Sequence, residues 1–170
     1  DPCSLVGYNH TVAADDGRNW NFYGTGNYSQ CAELARSLFD KQCNSWDPCS
    51  FNDIYQPPTE GKQFIALDGL ARVTFFYELQ TSPQLDEIGN AAEQFCSTNY
   101  VDALSEYGDN PVDTLIMPVY CWEGVYAYEF LTSGINFPTD SQQILFVDQY
   151  FGVEVSWTLG AMVDQVSKLQ

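Results

Sequence analysis

Positive charge is scarce in this chain. Six Lys and Arg stand against 23 Asp and Glu in 170 residues, a net charge of −17. Such a surface repels polyanions, which excludes most nucleic-acid and anionic-membrane partners and makes an awkward approach even for ATP. Only one histidine is present, and no Cys-x-x-Cys pair or EF-hand spacing occurs, so no metal site is expected from these residues. That histidine, His10, lies inside Asn9-His10-Thr11 and is expected to be exposed, which leaves Ser-His-Asp chemistry without a base. The 12 glycines never cluster into a loop of backbone N–H groups that cradles phosphate. No apolar run is long enough to span a bilayer, and the sequence contains no signal peptide, so it is expected to be a mature or cut form. Repeats, low-complexity tracts and linkers are absent too, so residues 1–170 read as one domain or one lobe.

What is present is a core. A hydrophobic content of 45% with 15% aromatics argues against disorder. The six cysteines are even in number and point to disulfides rather than zinc. Paired sulfur offers no thiolate, so no catalytic thiol is expected. Sequons at Asn9-His10-Thr11 and Asn27-Tyr28-Ser29 are acceptors for N-glycans. With the cysteines, they point to a secreted, extracellular protein.

The chain is organised around Cys43 to Leu79. A short cysteine loop from Cys43 to Cys49 turns at Asp47-Pro48, and a Pro57-Pro58 corner follows. Ala66 to Leu79 then reads as a helix apolar on nearly every side, which predicts a buried central helix. Asp68 lies four residues before Arg72 and is expected to pair with it. Upstream, residues 1–26 read as loop with a turn at Asp15-Asp16-Gly17 and anchors at Trp20, Phe22 and Tyr23. Asn27 caps a predicted helix through about Asp40, its stripe Cys31, Leu34, Ala35, Leu38 and Phe39. Downstream, Ser82-Pro83 opens a helix to about Ser97 with Leu85, Ile88, Ala92 and Phe95 inward. Tyr100 to Tyr107 is a shorter helix closed by Gly108-Asp109-Asn110-Pro111. Leu115 to Thr132 forms the next, stopped by Gly134, with a stripe of Val119, Trp122, Tyr126 and Phe130. A short apolar segment holds Ile144 to Val147. Val153 and Val155 suggest a strand, and Ser156 caps a final helix from Trp157 to about Leu169. The reading is helix-rich α+β, with too few strands to close a sheet of its own.

Several stretches carry a family resemblance. Cys49-Ser-Phe-Asn-Asp-Ile-Tyr-Gln-Pro-Pro58, Phe64-Ile65-Ala66-Leu67 and the helix after it resemble the second half of an apyrase, an ecto-nucleoside triphosphate diphosphohydrolase. So do Asp1-Pro2-Cys3, Gly26-Asn-Tyr-Ser-Gln-Cys31, Phe95-Cys96, Tyr120-Cys121, Gly134-Ile-Asn-Phe137 and, above all, Ser156-Trp-Thr-Leu-Gly-Ala-Met162. In order, these cover almost the whole chain, while the family's glycine-rich phosphate motifs are missing. The resemblance implies the C-terminal lobe of an actin-like, ribonuclease-H-like fold, cut at Asp1 from an N-terminal lobe. It also implies the pairing Cys3–Cys31, Cys43–Cys49 and Cys96–Cys121, where six cysteines alone admit many connectivities.

The same resemblance implies a function. The family hydrolyses terminal phosphates with a divalent metal and an activated water. A calcium or magnesium ion is expected only together with the missing N-terminal lobe, the partner in the same precursor or as a separate chain. Trp157 and Gly160 are expected to border the nucleotide cleft, Gly160 permitting close backbone approach; alternatively, Trp157 is a core anchor and Gly160 a packing contact. Where the family places an aromatic residue to hold the base, this chain has Ala71 and Arg72. Ala71 offers no stacking face, and Arg72 either stacks through its guanidinium plane or serves as the structural partner of Asp68. The acidic pairs Asp15/Asp16, Asp86/Glu87 and Glu123/Glu129 read as solvated surface or weak calcium sites. Two functions follow: the C-terminal portion of an extracellular apyrase-like phosphohydrolase, or a non-catalytic, self-assembling coat or filament subunit on the same scaffold. A disulfide-rich binding domain for a protein or glycan is a third.

Overall fold

The computed structural model describes residues 1–39, 42–108, 115–150, 152–154 and 157–168. In chain order the elements are β1 (Asn9–Ala13), β2 (Asn19–Tyr23), α1 (Tyr28–Arg36), β3 (Phe64–Ala66), α2 (Gly69–Phe76), α3 (Leu85–Cys96), α4 (Tyr100–Tyr107), α5 (Tyr120–Glu129), β4 (Ile144–Phe146), β5 (Gln149–Tyr150), β6 (Val153–Glu154) and α6 (Trp157–Ser167). The fold is α+β and helix-rich. Its strands form three separate pairs: β1–β2 and β5–β6 antiparallel, and β3–β4 parallel.

Local chemistry sets the helix starts. Asn27 Oδ1 accepts the Gln30 N–H at 3.1 Å and opens α1, and Asn99 Oδ1 accepts the Val101 N–H at 3.0 Å and opens α4. Each side chain satisfies one of the orphan donors of a first turn. α3 starts later than Ser82-Pro83 predicts. The Ser82 hydroxyl donates instead to the carbonyls of Gln142 and Ile144, and the Glu87 carboxylate accepts the Gln84 N–H at 3.3 Å.

α3 lies along α5 in the most extensive packing between elements, and α1 and α2 flank α5. Leu85, Ile88, Ala92 and Phe95 are buried, as the inward face of α3 predicts. On α1 the buried residues are Cys31, Ala32 and Ala35, whereas Leu34 and Leu38 are exposed. The helix stops at Arg36, so Leu38 leaves the stripe, and Phe39 instead packs against Phe51, Tyr126 and Phe130. α5 buries Cys121, Gly124, Val125 and Ala127 rather than the predicted stripe; Val119 is exposed. Neighbours on several sides of α5 widen its buried face beyond a single stripe. A tight turn over Met117–Val119 precedes α5, and a wide π-type turn over Phe130–Gly134 follows it.

The central helix is shorter than expected. Phe64–Ala66 becomes a strand through its pairing with Ile144–Phe146, and α2 begins only at Gly69. One of its faces is open: Phe75 is 42% exposed although Ala71, Val73 and Thr74 are buried. Residues 9–23 form a hairpin rather than a loop, held by five register pairs and a Thr11–Asn21 side-chain hydrogen bond. Its aromatics are not anchors: Trp20, Phe22 and Tyr23 all reach solvent. His10 is half-buried rather than exposed, stacked between Tyr8 and Phe22.

Disulfides join Cys3 to Cys31, Cys43 to Cys49 and Cys96 to Cys121, with Cα separations of 5.0, 5.7 and 4.8 Å. The first ties the N-terminal segment to α1 and the third ties α3 to α5. α1 ends at Arg36, short of the predicted Asp40; the 109–111 turn, Val155 in the strand, the Ser156 cap and Leu169 lie outside the described residues.

Candidate functional site: a slot between α2 and α5

The start of α2 and the first two turns of α5 enclose a cavity of about 430 Å³ lined by Leu67, Asp68, Gly69, Leu70, Val73, Trp122, Glu123 and Tyr126. The volume lies in the range of small-molecule pockets. Its wall on α5 is aromatic, since Trp122 and Tyr126 sit one turn apart with ring centroids 5.6 Å apart. Leu67, Leu70 and Val73 supply the apolar wall opposite.

Two carboxylates and one cation stand at its edge. Arg72 Nη2 lies 3.9 Å from Glu123 Oε1, with the two side chains 54% and 30% exposed. The expected Asp68–Arg72 side-chain pair is therefore replaced by Arg72–Glu123. Asp68 reaches Arg72 only through its backbone, its carbonyl accepting the Arg72 N–H at 2.8 Å. At φ 53°, ψ −121°, Asp68 holds a conformation that costs a non-glycine residue on the order of 1–3 kcal/mol. Its side chain makes no capping hydrogen bond. Burial raises the Glu123 carboxyl above the usual carboxylate range; Arg72 pulls it back down and Asp68 pushes it further up.

The remaining predicted residues fall elsewhere. Ala71 is buried and presents no face to the slot. Trp157 opens α6, and Gly160 within it is exposed, with nothing within 4 Å of a β-carbon built there. Among the described residues α6 has no broad packing against another element. Asn9 and Asn27 are both exposed, as sequon asparagines must be to carry a glycan.

The acidic pairs separate into different roles. Asp16 is solvated and bound to Arg18. The Glu129 side chain is only 4% exposed, with Arg36 Nε 3.0 Å away and the Ser133 hydroxyl donating to it at 2.5 Å. Neither Glu123 nor Glu129 is open surface. Charge spacing along one helix carries no sign of this, because both partners of Glu129 come from tertiary contact or the π-type turn. Trp122 and Tyr126 were visible as a stripe, but not as the wall of a cavity.

Among the described residues no group of three His, Cys, Asp or Glu converges to hold a metal. The slot itself does not suit one, since the Arg72 guanidinium beside Glu123 opposes a second cation. Nor is any described helix long and apolar enough to cross a membrane.

The GDA1/CD39 (nucleoside phosphatase) family profile matches residues 1–170. The chain belongs to this family. It is 30% identical to ectonucleoside triphosphate diphosphohydrolase 8 of Bos taurus over 96% of its own length and 36% of the relative's. Against ectonucleoside triphosphate diphosphohydrolase 1 of Bos taurus the identity is 28%, over 86% of this chain and 28% of the relative. Against probable apyrase 6 of Arabidopsis thaliana it is 25%, over 98% and 32%. The chain thus spans roughly a third of the length of the curated relatives it matches. The ecto-enzymes among these relatives and the three disulfides fit an extracellular GDA1/CD39 protein.

Proposed function

We propose that residues 1–170 are the C-terminal lobe of an actin-like, ribonuclease-H-like apyrase, a secreted nucleoside tri/diphosphate phosphohydrolase, and that they contribute the base side of its cleft. The observation that carries this reading is the α2–α5 slot. It has an aromatic wall and an arginine at its edge, yet no cluster of cations or glycine-rich loop for phosphate. It is built to take a ring and to leave the phosphates to another surface. Arg72 flanks the base. Trp157 and Gly160 on α6 border the same cleft once an N-terminal lobe, from the same precursor or a separate chain, seats that helix. A calcium or magnesium ion, held by residues of that lobe, supplies charge neutralisation at the phosphates. Asn9 and Asn27 carry N-glycans.

A second reading has its own support. Ala71 stands where the family resemblance places an aromatic platform, and Trp46, Ile54 and Tyr55 are exposed around the Cys43–Cys49 loop. A non-catalytic subunit that self-assembles into a coat or filament would retain the scaffold and lose that platform.

Phosphate release separates the two. The 170 residues alone, supplied with ATP or ADP and calcium or magnesium, are expected to stay near the blank. Joined to a family N-terminal lobe, they are expected to turn over. An inert joined protein favours the assembly reading, and turnover by the 170 residues alone overturns both.

A further inference from the structure

One face of the β1–β2 hairpin is left bare by the rest of the protein. The register sets Asn9 opposite Tyr23, Thr11 opposite Asn21 and Ala13 opposite Asn19. Residues two apart along a strand point the same way, so all of these share one side, and all are exposed. The Tyr8 carbonyl accepts the Gly24 N–H at 2.7 Å, and the Arg18 carbonyl accepts the Ala14 N–H at 2.8 Å. Bonded and unbonded pairs alternate along an antiparallel ribbon, which makes Asn9–Tyr23 an unbonded pair, the kind whose side chains lie closest. At Thr11–Asn21, the next such pair, the Thr11 hydroxyl reaches across and donates to Asn21 Oδ1 at 2.8 Å. Tyr23 is the aromatic residue of this face and is 63% exposed. The other hairpin rings lie on the opposite face with partners of their own: Phe22 stacks on His10, and the Arg18 guanidinium sits 5.1 Å over Trp20. The Tyr23 ring has no such partner among the described residues.

Asn9 also opens the sequon Asn9-His10-Thr11, whose product is an N-acetylglucosamine on the Asn9 side-chain nitrogen. Resting on the glycosylation proposed above for Asn9, we propose that Tyr23 is the seat of this glycan: the first sugar lies across the Tyr23 ring and clamps β1 to β2. Opposed β-carbons in such a pair stand about 5 Å apart, so a sugar at the end of the Asn9 side chain reaches the ring without bending the strand. A pyranose presents a patch of C–H groups on one face, and the face of an aromatic ring carries the partial negative charge that attracts them. Stacking also takes apolar area of both partners out of water. Between free molecules the contact is weak. Here the sugar is tethered opposite the ring, and the high effective concentration keeps a weak contact populated. The ribbon stands to gain from it, because an isolated two-stranded hairpin is at best marginally stable in water.

The test uses the chain secreted from a glycosylating host and trimmed enzymatically to one sugar per site, with peptide mass mapping to read the occupancy of Asn9. Amide hydrogen exchange over residues 9–23 is then compared with that of Asn9→Gln. Exchange is expected to be about threefold slower with the sugar in place. Tyr23→Phe, which keeps the ring, should preserve that difference. Tyr23→Thr, which keeps the strand preference and loses the ring, should abolish it. A second readout needs no substitution: in the NMR spectrum the Asn9-linked sugar should show contacts to the Tyr23 ring protons that the Asn27-linked sugar lacks. An unmodified Asn9 removes the glycosylation reading at this site and the seat with it. An occupied Asn9 that slows no exchange, shows no contact to Tyr23, or protects equally in Tyr23→Thr overturns the seat and leaves the glycan standing.

Discussion

Glu123 and Glu129 lie on the same helix in different surroundings. Glu123 is half-buried with its carboxyl raised, so the native state binds its proton more tightly than the unfolded chain does. Its contribution to stability is therefore largest below the unfolded value of about 4.3 and declines as pH rises through the raised native value. Comparing the melting temperature of Glu123→Gln with that of the parent from pH 4 to pH 7 isolates this term from the other carboxylates. The variant should gain on the parent as pH rises; a difference that shrinks instead contradicts the assigned direction. Glu129, by contrast, is buried and held by Arg36 and Ser133. Removing Arg36 strands a charge inside the protein. Arg36→Ala should cost about 2 kcal/mol, and Glu129→Gln in the same chain should recover part of it, as read from urea unfolding midpoints.

At the scale of elements, α3 and α5 approach so closely that Gly124 has no room for a side chain. A β-carbon there would collide with the Tyr77 hydroxyl and stand 2.9 Å from the Ala92 β-carbon. Tyr77 is held in place because its hydroxyl donates to the Tyr120 carbonyl at 2.8 Å. Gly124→Ala should therefore destabilise by about 2 kcal/mol, and Tyr77→Phe added to it should relieve part of the loss by removing the closest atom. A fully additive double variant, measured by denaturant unfolding, would mean that the two do not touch.

How much of these elements was legible follows from where their information lies. α4 and the inner face of α3 could be read directly, because caps and 3.6-residue spacing are local. The β1–β2 hairpin was missed because Asn9, Asn19 and Asn21 blur its alternation and neither face is buried deeply enough to impose one. β3 was not recognised as a strand because Phe64–Ala66 is short and apolar without period, and only its distant partner Ile144–Phe146 makes it one. The same limit applies to the slot. Arg72 was visible as a candidate, but its partner Glu123 is brought to it only by the packing of α2 on α5. The disulfide pairing came from the family pattern, since spacing leaves the connectivity open.

For the whole molecule, three disulfides and an aromatic core hold an α+β unit that spans about a third of its relatives. Its exposed apolar residues include Phe75 on α2 and Met162 and Val166 on α6. Under the proposed function these are surfaces that an N-terminal lobe covers, with α6 docking only when that lobe is present. The account's central claim is that this segment takes the base while other residues take the phosphates. Photolabelling with 8-azido-GDP, in the polypeptide that joins residues 1–170 to a family N-terminal lobe, tests it most directly. The label attaches through the base, so mass spectrometry should find it on peptides from residues 66–76 and 120–130, lost when excess GDP competes. Label confined to peptides outside residues 1–170 would contradict the account.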